Sequence, residues 1–309
     1  MKNNQLLALG AAVVLLAGYL MMSSDRDVQV NQLGDTLVTL TDASAEQAAT
    51  LVVTKDKVEL VSLKKVDDQW LLASGHPADT SKVAALIIDL SQLQAESRRV
   101  NMDQLATYGL GKDDAKTSVV ASDASGKALA SVVLGKKGPQ WGSAWTQREG
   151  KSEVLLLQEG PVGRLVDGEF KAKDWLNRQP VKSDNTSVSM LALTGELSAA
   201  ITRKEAAADA GPATWVDAKG DVIDSAKADG LLSALSNLYI DDVASDTQAT
   251  PVLELRVQTG DKERTVILGQ NPEKSWRLLV GDLAYNVSES SAKSLRNKAR
   301  ELVGADKLD

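Results

Sequence analysis

A self-match at one fixed spacing constrains this chain more than any other feature. Trp70 and Trp215 lie 145 residues apart, as do Asp79 and Asp224, Lys82 and Lys227, Ser91 and Ser236, and Leu93 and Leu238. The apolar positions between them keep the same register: Val83 with Ala228, Leu86 with Leu231, Ile87 with Leu232, and Leu90 with Leu235. One offset held over so many positions reads as two copies of one module. In each copy the matched segment predicts a helix. Asp79 and Asp224 stand where an N-cap carboxylate accepts the unpaired amides of a first turn. Val83, Leu86, Ile87, Leu90 and Leu93 recur at helical spacing on one face. Burying five such side chains is worth roughly 8–15 kcal/mol before conformational entropy is charged, so the stripe is a packing surface.

Around each helix the pattern changes to short β runs. In the first copy these are Thr50–Thr54, Val58–Leu63, Trp70–Ala73, Thr117–Ala121, Leu129–Leu134, Ser143–Arg148 and Val154–Leu157. In the second they are Ser187–Leu193, Ala199–Arg203, Thr214–Asp217, Val252–Gln258, Arg264–Leu268, Trp276–Val280 and Ala284–Val287. Turn residues separate them, among them Val66-Asp67-Asp68, Thr259-Gly260-Asp261 and Gly281-Asp282. Close spacing implies antiparallel pairing. Leu134-Gly135 and Leu268-Gly269 end equivalent strands, and helical segments near Pro161–Val166 and Ser290–Leu302 close the copies. The expected fold class is α+β: an N-terminal transmembrane helix, then two tandem related modules, each an antiparallel sheet with a packed amphipathic helix. The expected boundaries are 1–27, 28–180 and 181–309, with Asn177–Asn185 as the linker.

The anchor rests on Leu6–Met22, an almost unbroken apolar run with Lys2 before it and Asp25, Arg26 and Asp27 after it. As a helix it spans roughly 25 Å, close to the bilayer core of about 30 Å. The positive-inside tendency places the N-terminus in the cytoplasm and the bulk in the periplasm. The alternative is a cleaved secretory signal. Against it stand the length of the run and the bulky YLMM where a small-x-small site belongs.

Composition then removes classes of chemistry. The chain has no cysteine and one histidine, His76. Thiolate catalysis, disulfides, lipoprotein modification and the usual zinc sites go with the cysteines. His76 sits in Ser74-Gly75-His76-Pro77, which reads as an exposed turn. No Gly-x-Ser-x-Gly elbow accompanies it. The net charge of −7 offers no broad positive field for nucleic acid. Gly109-Leu110-Gly111-Lys112 and Gly135-Lys136-Lys137-Gly138 lack the spacing of a phosphate or dinucleotide loop. The acid pairs Asp113-Asp114 and Asp241-Asp242 do not match a calcium loop. No catalytic, cofactor or metal residue is expected. A possible interaction surface comprises Trp141 and Trp145, whose rings share a face if the stretch is extended, and Arg98 and Arg99 beyond the first helix.

Several motifs occur in a fixed order. These are Trp70, Pro77-Ala78-Asp79, Lys82-Val83 with a Leu-rich helix, Tyr108-Gly109-Leu110, Leu134-Gly135-Lys136, a Trp- and Arg-containing hairpin, and Asp174-Trp175-Leu176. This order resembles the DUF4340 family, most clearly over Val52–Val181. The second module has no clear Tyr-Gly-Leu. The resemblance implies membrane residence and, more loosely, partnership with an ABC-type permease or auxiliary subunit; it implies no reaction. The expected function is therefore a non-enzymatic, membrane-anchored accessory or scaffold protein of a bacterial cell-envelope complex, held in the inner membrane by residues 6–22. The alternative is a periplasmic glycan- or lipid-binding protein.

Overall fold

The structure is a computed structural model. It describes residues 37–40, 47–98, 102–147, 153–166, 171–182, 184–204, 213–305 and 308. The expected anchor, Leu6–Met22, lies outside them. Among the described residues no helix is long and apolar enough to cross a membrane.

The fold is α+β: two antiparallel sheets with a few helices. The first run of elements is β1 (Leu37–Thr39), β2 (Thr50–Lys55), β3 (Val58–Val66), β4 (Gln69–Leu72), α1 (Thr80–Ser91) and β5 (Gln94–Arg98). It continues with β6 (Thr117–Ser122), β7 (Ala128–Lys137), β8 (Ala144–Gln147), β9 (Val154–Leu157) and α2 (Pro161–Arg164). The second run opens with β10 (Val188–Gly195), β11 (Ala199–Lys204), β12 (Thr214–Asp217), β13 (Val222–Ile223) and α3 (Ser225–Ser236). It ends with β14 (Ile240–Val243), β15 (Thr250–Thr259), β16 (Lys262–Gln270), β17 (Trp276–Val280), β18 (Leu283–Val287) and α4 (Glu289–Val303).

The strand orders are β4-β3-β2-β6-β7-β8-β9-β5-β1 and β13-β12-β11-β10-β15-β16-β17-β18-β14. From β4 to β5 and from β12 to β14, the two coincide strand for strand. Even β13 has its counterpart. Val216 pairs with Val222 in the second sheet, and 145 residues earlier Leu71 forms an isolated bridge with Pro77.

Local chemistry explains the elements. Asp79 Oδ1 accepts from the amides of Ser81 and Lys82 at 3.0 and 3.2 Å, and Asp224 Oδ1 accepts from Ala226 at 2.9 Å. Both expected caps are therefore made. Every apolar pair of the repeat is buried, from Val83 and Ala228 at 0% exposure to Ile87 at 7% and Leu232 at 1%. The β2–β3 and β3–β4 hairpins turn on Asp56-Lys57 and Asp67-Asp68, four residues with positive φ. Two consecutive left-handed residues match the twist of a two-residue hairpin. Strands β5 and β14, absent from the sequence reading, lie at corresponding positions after α1 and α3.

By spatial contact the chain divides into two compact units. The described residues of Met1–Asp42, Asp89–Thr117 and Val132–Asp167 form one, and those of Ala43–Ile88, Ser118–Ser131 and Gly168–Asp309 the other. In the first, β9 is buried along all four residues, Val154 to Leu157. In the second, α3 packs on α4, whose buried stripe is Ala292, Leu295, Ala299 and Leu302.

Leu86→Ala and Leu231→Ala, at matched positions 1% and 0% exposed, should each cost about 2–5 kcal/mol in urea unfolding. Lys227→Ala, on the exposed side of α3, should change stability by no more than about 0.5 kcal/mol.

Candidate functional site

His76 is not the solvated loop residue that its sequence context suggests. Its neighbours Ser74 and Gly75 are exposed, but the His76 side chain turns inward and is 6% exposed. Nε2 lies 3.0 Å from the Ala284 carbonyl, so it carries the proton, because a carbonyl only accepts. Nδ1 shares a second hydrogen bond, of 3.0 Å, with Ser74 Oγ. The ring meets Tyr285 edge-on at 4.9 Å. Burial pushes the Tyr285 phenol up to about 12, against the pull of the Arg264 guanidinium. Both imidazole nitrogens are thus committed to the fold. Nothing local signals this, because Ala284, the partner of Nε2, lies 208 residues away.

The glycine motifs that resemble phosphate loops have a packing role. A Cβ on Gly135 would sit 2.2 Å from the Tyr108 carbonyl oxygen, and one on Gly109, at φ +71°, would sit 2.8 Å from the Lys136 backbone nitrogen. The two motifs therefore touch through bare backbone. Lys136 Nζ donates to the carbonyls of Ala106 and Thr107, both at 3.2 Å, at the end of the 3₁₀ turn Met102–Tyr108. Trp145 closes over this point, edge-on to Tyr108 at 4.6 Å. The second half lacks Tyr-Gly-Leu but keeps the close approach. A Cβ on Gly269 would lie 2.6 Å from the Thr250 carbonyl oxygen.

Trp141 and Trp145 do not share one strand face. Trp141 precedes β8 in a turn whose Gly142 has φ +77°. It is 66% exposed, with the Arg164 guanidinium 4.0 Å above its ring. Arg98 ends β5 opposite Val154. The side chain of Arg98 and all of Arg99 lie outside the described residues.

Several carboxylates are occupied by backbone amides. Asp114 accepts from Gly111 at 2.7 Å, Asp174 from Lys171 at 3.1 Å, and Asp242 from Val243 at 2.8 Å. Asp217 takes both Lys219 and Asp221 at 2.9 Å. The Ser125 hydroxyl holds the Asp123 carboxyl below its usual range, and the Thr186 hydroxyl does the same for Asp184. Asp89 shifts the other way. Burial raises it, against the Val162 amide, which donates to it at 2.7 Å, and the Arg164 charge. Among the described residues no group of three or more His, Asp or Glu side chains is placed to hold a metal ion.

Two clefts among the described residues share Lys182. One, of ≈590 Å³, runs past Lys82, Asp174, Arg178, Lys182 and Tyr239. The other, of ≈290 Å³, runs past Lys182, Asp184, Lys262 and Arg264. Asn177, Arg178, Gln179 and Lys182 of the expected linker line the first, and this segment is held by hydrogen bonds and burial. The Arg178 carbonyl accepts from Ile240 N at 3.0 Å, Arg178 Nη1 donates to the carbonyls of Ile240 and Asp241, and Val181 is 3% exposed. Lys82 Nζ donates to the Asp174 carbonyl at 2.6 Å.

His76→Ala removes a buried hydrogen bond and the ring beside Tyr285. It should lower stability by about 1–3 kcal/mol, read as a fall in the thermal midpoint. Asp89→Asn keeps an acceptor for Val162 and removes the buried charge. The raised folded pKa means that the contribution of Asp89 is fully present below its unfolded value and is lost as pH rises through the folded one. The variant should therefore be more stable than the parent at pH 7, and the gap should close on acidification.

No curated protein and no solved structure matches the chain. The profile described as "Domain of unknown function (DUF4340)" matches residues 70–258. That stretch opens on Trp70 in β4, takes in both repeat helices and ends in β15, so it covers more than half of the 309 residues. The chain belongs to the DUF4340 family.

Proposed function

We propose that this protein is a non-enzymatic, membrane-anchored accessory or scaffold protein of a bacterial cell-envelope complex, serving as an auxiliary subunit of an ABC-type transport system. One observation carries the non-enzymatic part. The single histidine and several aspartates are spent on the fold: His76 on Ser74 and Ala284, and Asp79, Asp114, Asp174, Asp217, Asp224 and Asp242 on backbone amides. A carboxylate that fastens a turn is a poor proton shuttle, because protonation weakens the turn it holds.

The tether is the apolar run Leu6–Met22, and the bulk lies on the periplasmic side. Confinement to the inner membrane raises the effective concentration near membrane partners without any strong contact. The body is two tandem related modules, 28–180 and 181–309, each an antiparallel sheet with an amphipathic helix. The coincident strand orders and the 145-residue register support that duplication. Duplication gives a broad folded surface without requiring a reactive centre.

Native membranes solubilised in mild detergent provide the test. A tagged full-length chain should sediment with membranes through a carbonate wash and retain a stoichiometric membrane-protein partner on purification. Recovery of the chain alone, or its release by carbonate, contradicts the proposal.

A further inference from the structure

We propose that the two clefts meeting at Lys182 form one binding site for an acidic oligosaccharide. Five cations line them: Lys82, Arg178, Lys182, Lys262 and Arg264. They face three carboxylates, on a chain whose net charge is −7. All three carboxylates already accept backbone amides. Asp79 takes Ser81 at 3.0 Å, Asp174 takes Lys171 at 3.1 Å, and Asp184 takes Thr186 at 2.9 Å. What the clefts still offer a ligand is mainly donors: ammonium groups, the rest of the Arg178 guanidinium, the Gln179 amide and hydroxyls.

The positions on β16 are regular. Lys262 and Arg264 are two apart, so they project from one sheet face. They stand opposite Thr259 and Val257, which line the same cleft. Lys182 belongs to both clefts, so a ligand that follows the cations is longer than a single sugar.

Ligand chemistry follows from this set. No aliphatic side chain lines the larger cleft, so a lipid chain has nothing to bury against there. A duplex nucleic acid needs a broad positive field, which the chain as a whole lacks. Tyr239 is 54% exposed and lines the larger cleft, with the Arg178 guanidinium 5.8 Å from its ring centroid. A pyranose ring stacks on such a surface; an inorganic anion does not use it. Carboxylates along a sugar chain would meet the lysines, and sugar hydroxyls would meet Thr80, Ser81 and Gln179.

Calorimetry on the full chain in mild detergent tests the site, with tetragalacturonate, maltotetraose and inorganic phosphate as probes. Tetragalacturonate should bind, more weakly as salt rises, and the other two should bind at least about tenfold more weakly. Lys182→Glu should weaken tetragalacturonate by about tenfold or more, and Tyr239→Ala by about three- to tenfold. Both side chains are exposed, so circular dichroism should be unchanged. Lys227→Glu makes the same charge change on α3, outside the clefts, and should leave affinity within about twofold. Absence of tetragalacturonate binding overturns the proposal. So does equal affinity for maltotetraose or phosphate, or a Lys227→Glu loss matching that of Lys182→Glu. None of these outcomes bears on the membrane-partner purification.

Discussion

The rest of the structure depends on aspartates that bind backbone amides. Asp79 and Asp224 start the two repeat helices and so set the rotation at which Val83, Leu86, Ile87 and Leu90, and their partners 145 residues on, turn inward. A helix of twelve residues is marginal by itself. It is held by a cap at one end and a buried stripe along its length. The same device recurs at Asp114, Asp123, Asp184 and Asp217, where a carboxylate gathers the amides of a turn. With no cysteine for disulfides and few aromatics for the core, these small polar fasteners and the aliphatic stripes carry the architecture.

That use of acid explains why so much of the fold was legible. The helices at 80–91 and 225–236 follow from the cap and the period of 3.6, and the strands from the period of 2 between turns. Strands β5 and β14 were not legible. Gln94–Arg98 is polar, and Ile240–Val243 reads IDDV, so neither carries an alternating apolar signal. Both are defined by the partners they pair with, β9 and β18. The candidate site was less legible still. His76 read as a surface turn because Ala284 and Tyr285, which bury it, are distant in sequence. Trp145 was grouped with Trp141 on spacing alone, whereas the turn at Gly142 separates them and Tyr108 takes up Trp145. Lys182 looked like an ordinary linker lysine, and nothing local placed it between two clefts.

The family motifs acquire a physical reading. Tyr-Gly-Leu and Leu-Gly-Lys are the two sides of a backbone contact that any side chain at Gly135 would obstruct. In the second half the partner of Gly269 is the Thr250 carbonyl. A backbone contact makes little demand on side-chain identity beyond the glycine, which is why the Tyr-Gly-Leu text is lost there while the approach survives. These glycines serve the architecture. The cations that remain for recognition lie elsewhere, around Lys182.

Hydrogen exchange on the intact chain tests the shared plan of the two halves most directly. The account predicts two matched sets of slowly exchanging amides, at Leu86–Leu90 with strands β2 and β7, and at Leu231–Leu235 with strands β10 and β16. Protection confined to one half, with the other exchanging as freely as its loops, would contradict it.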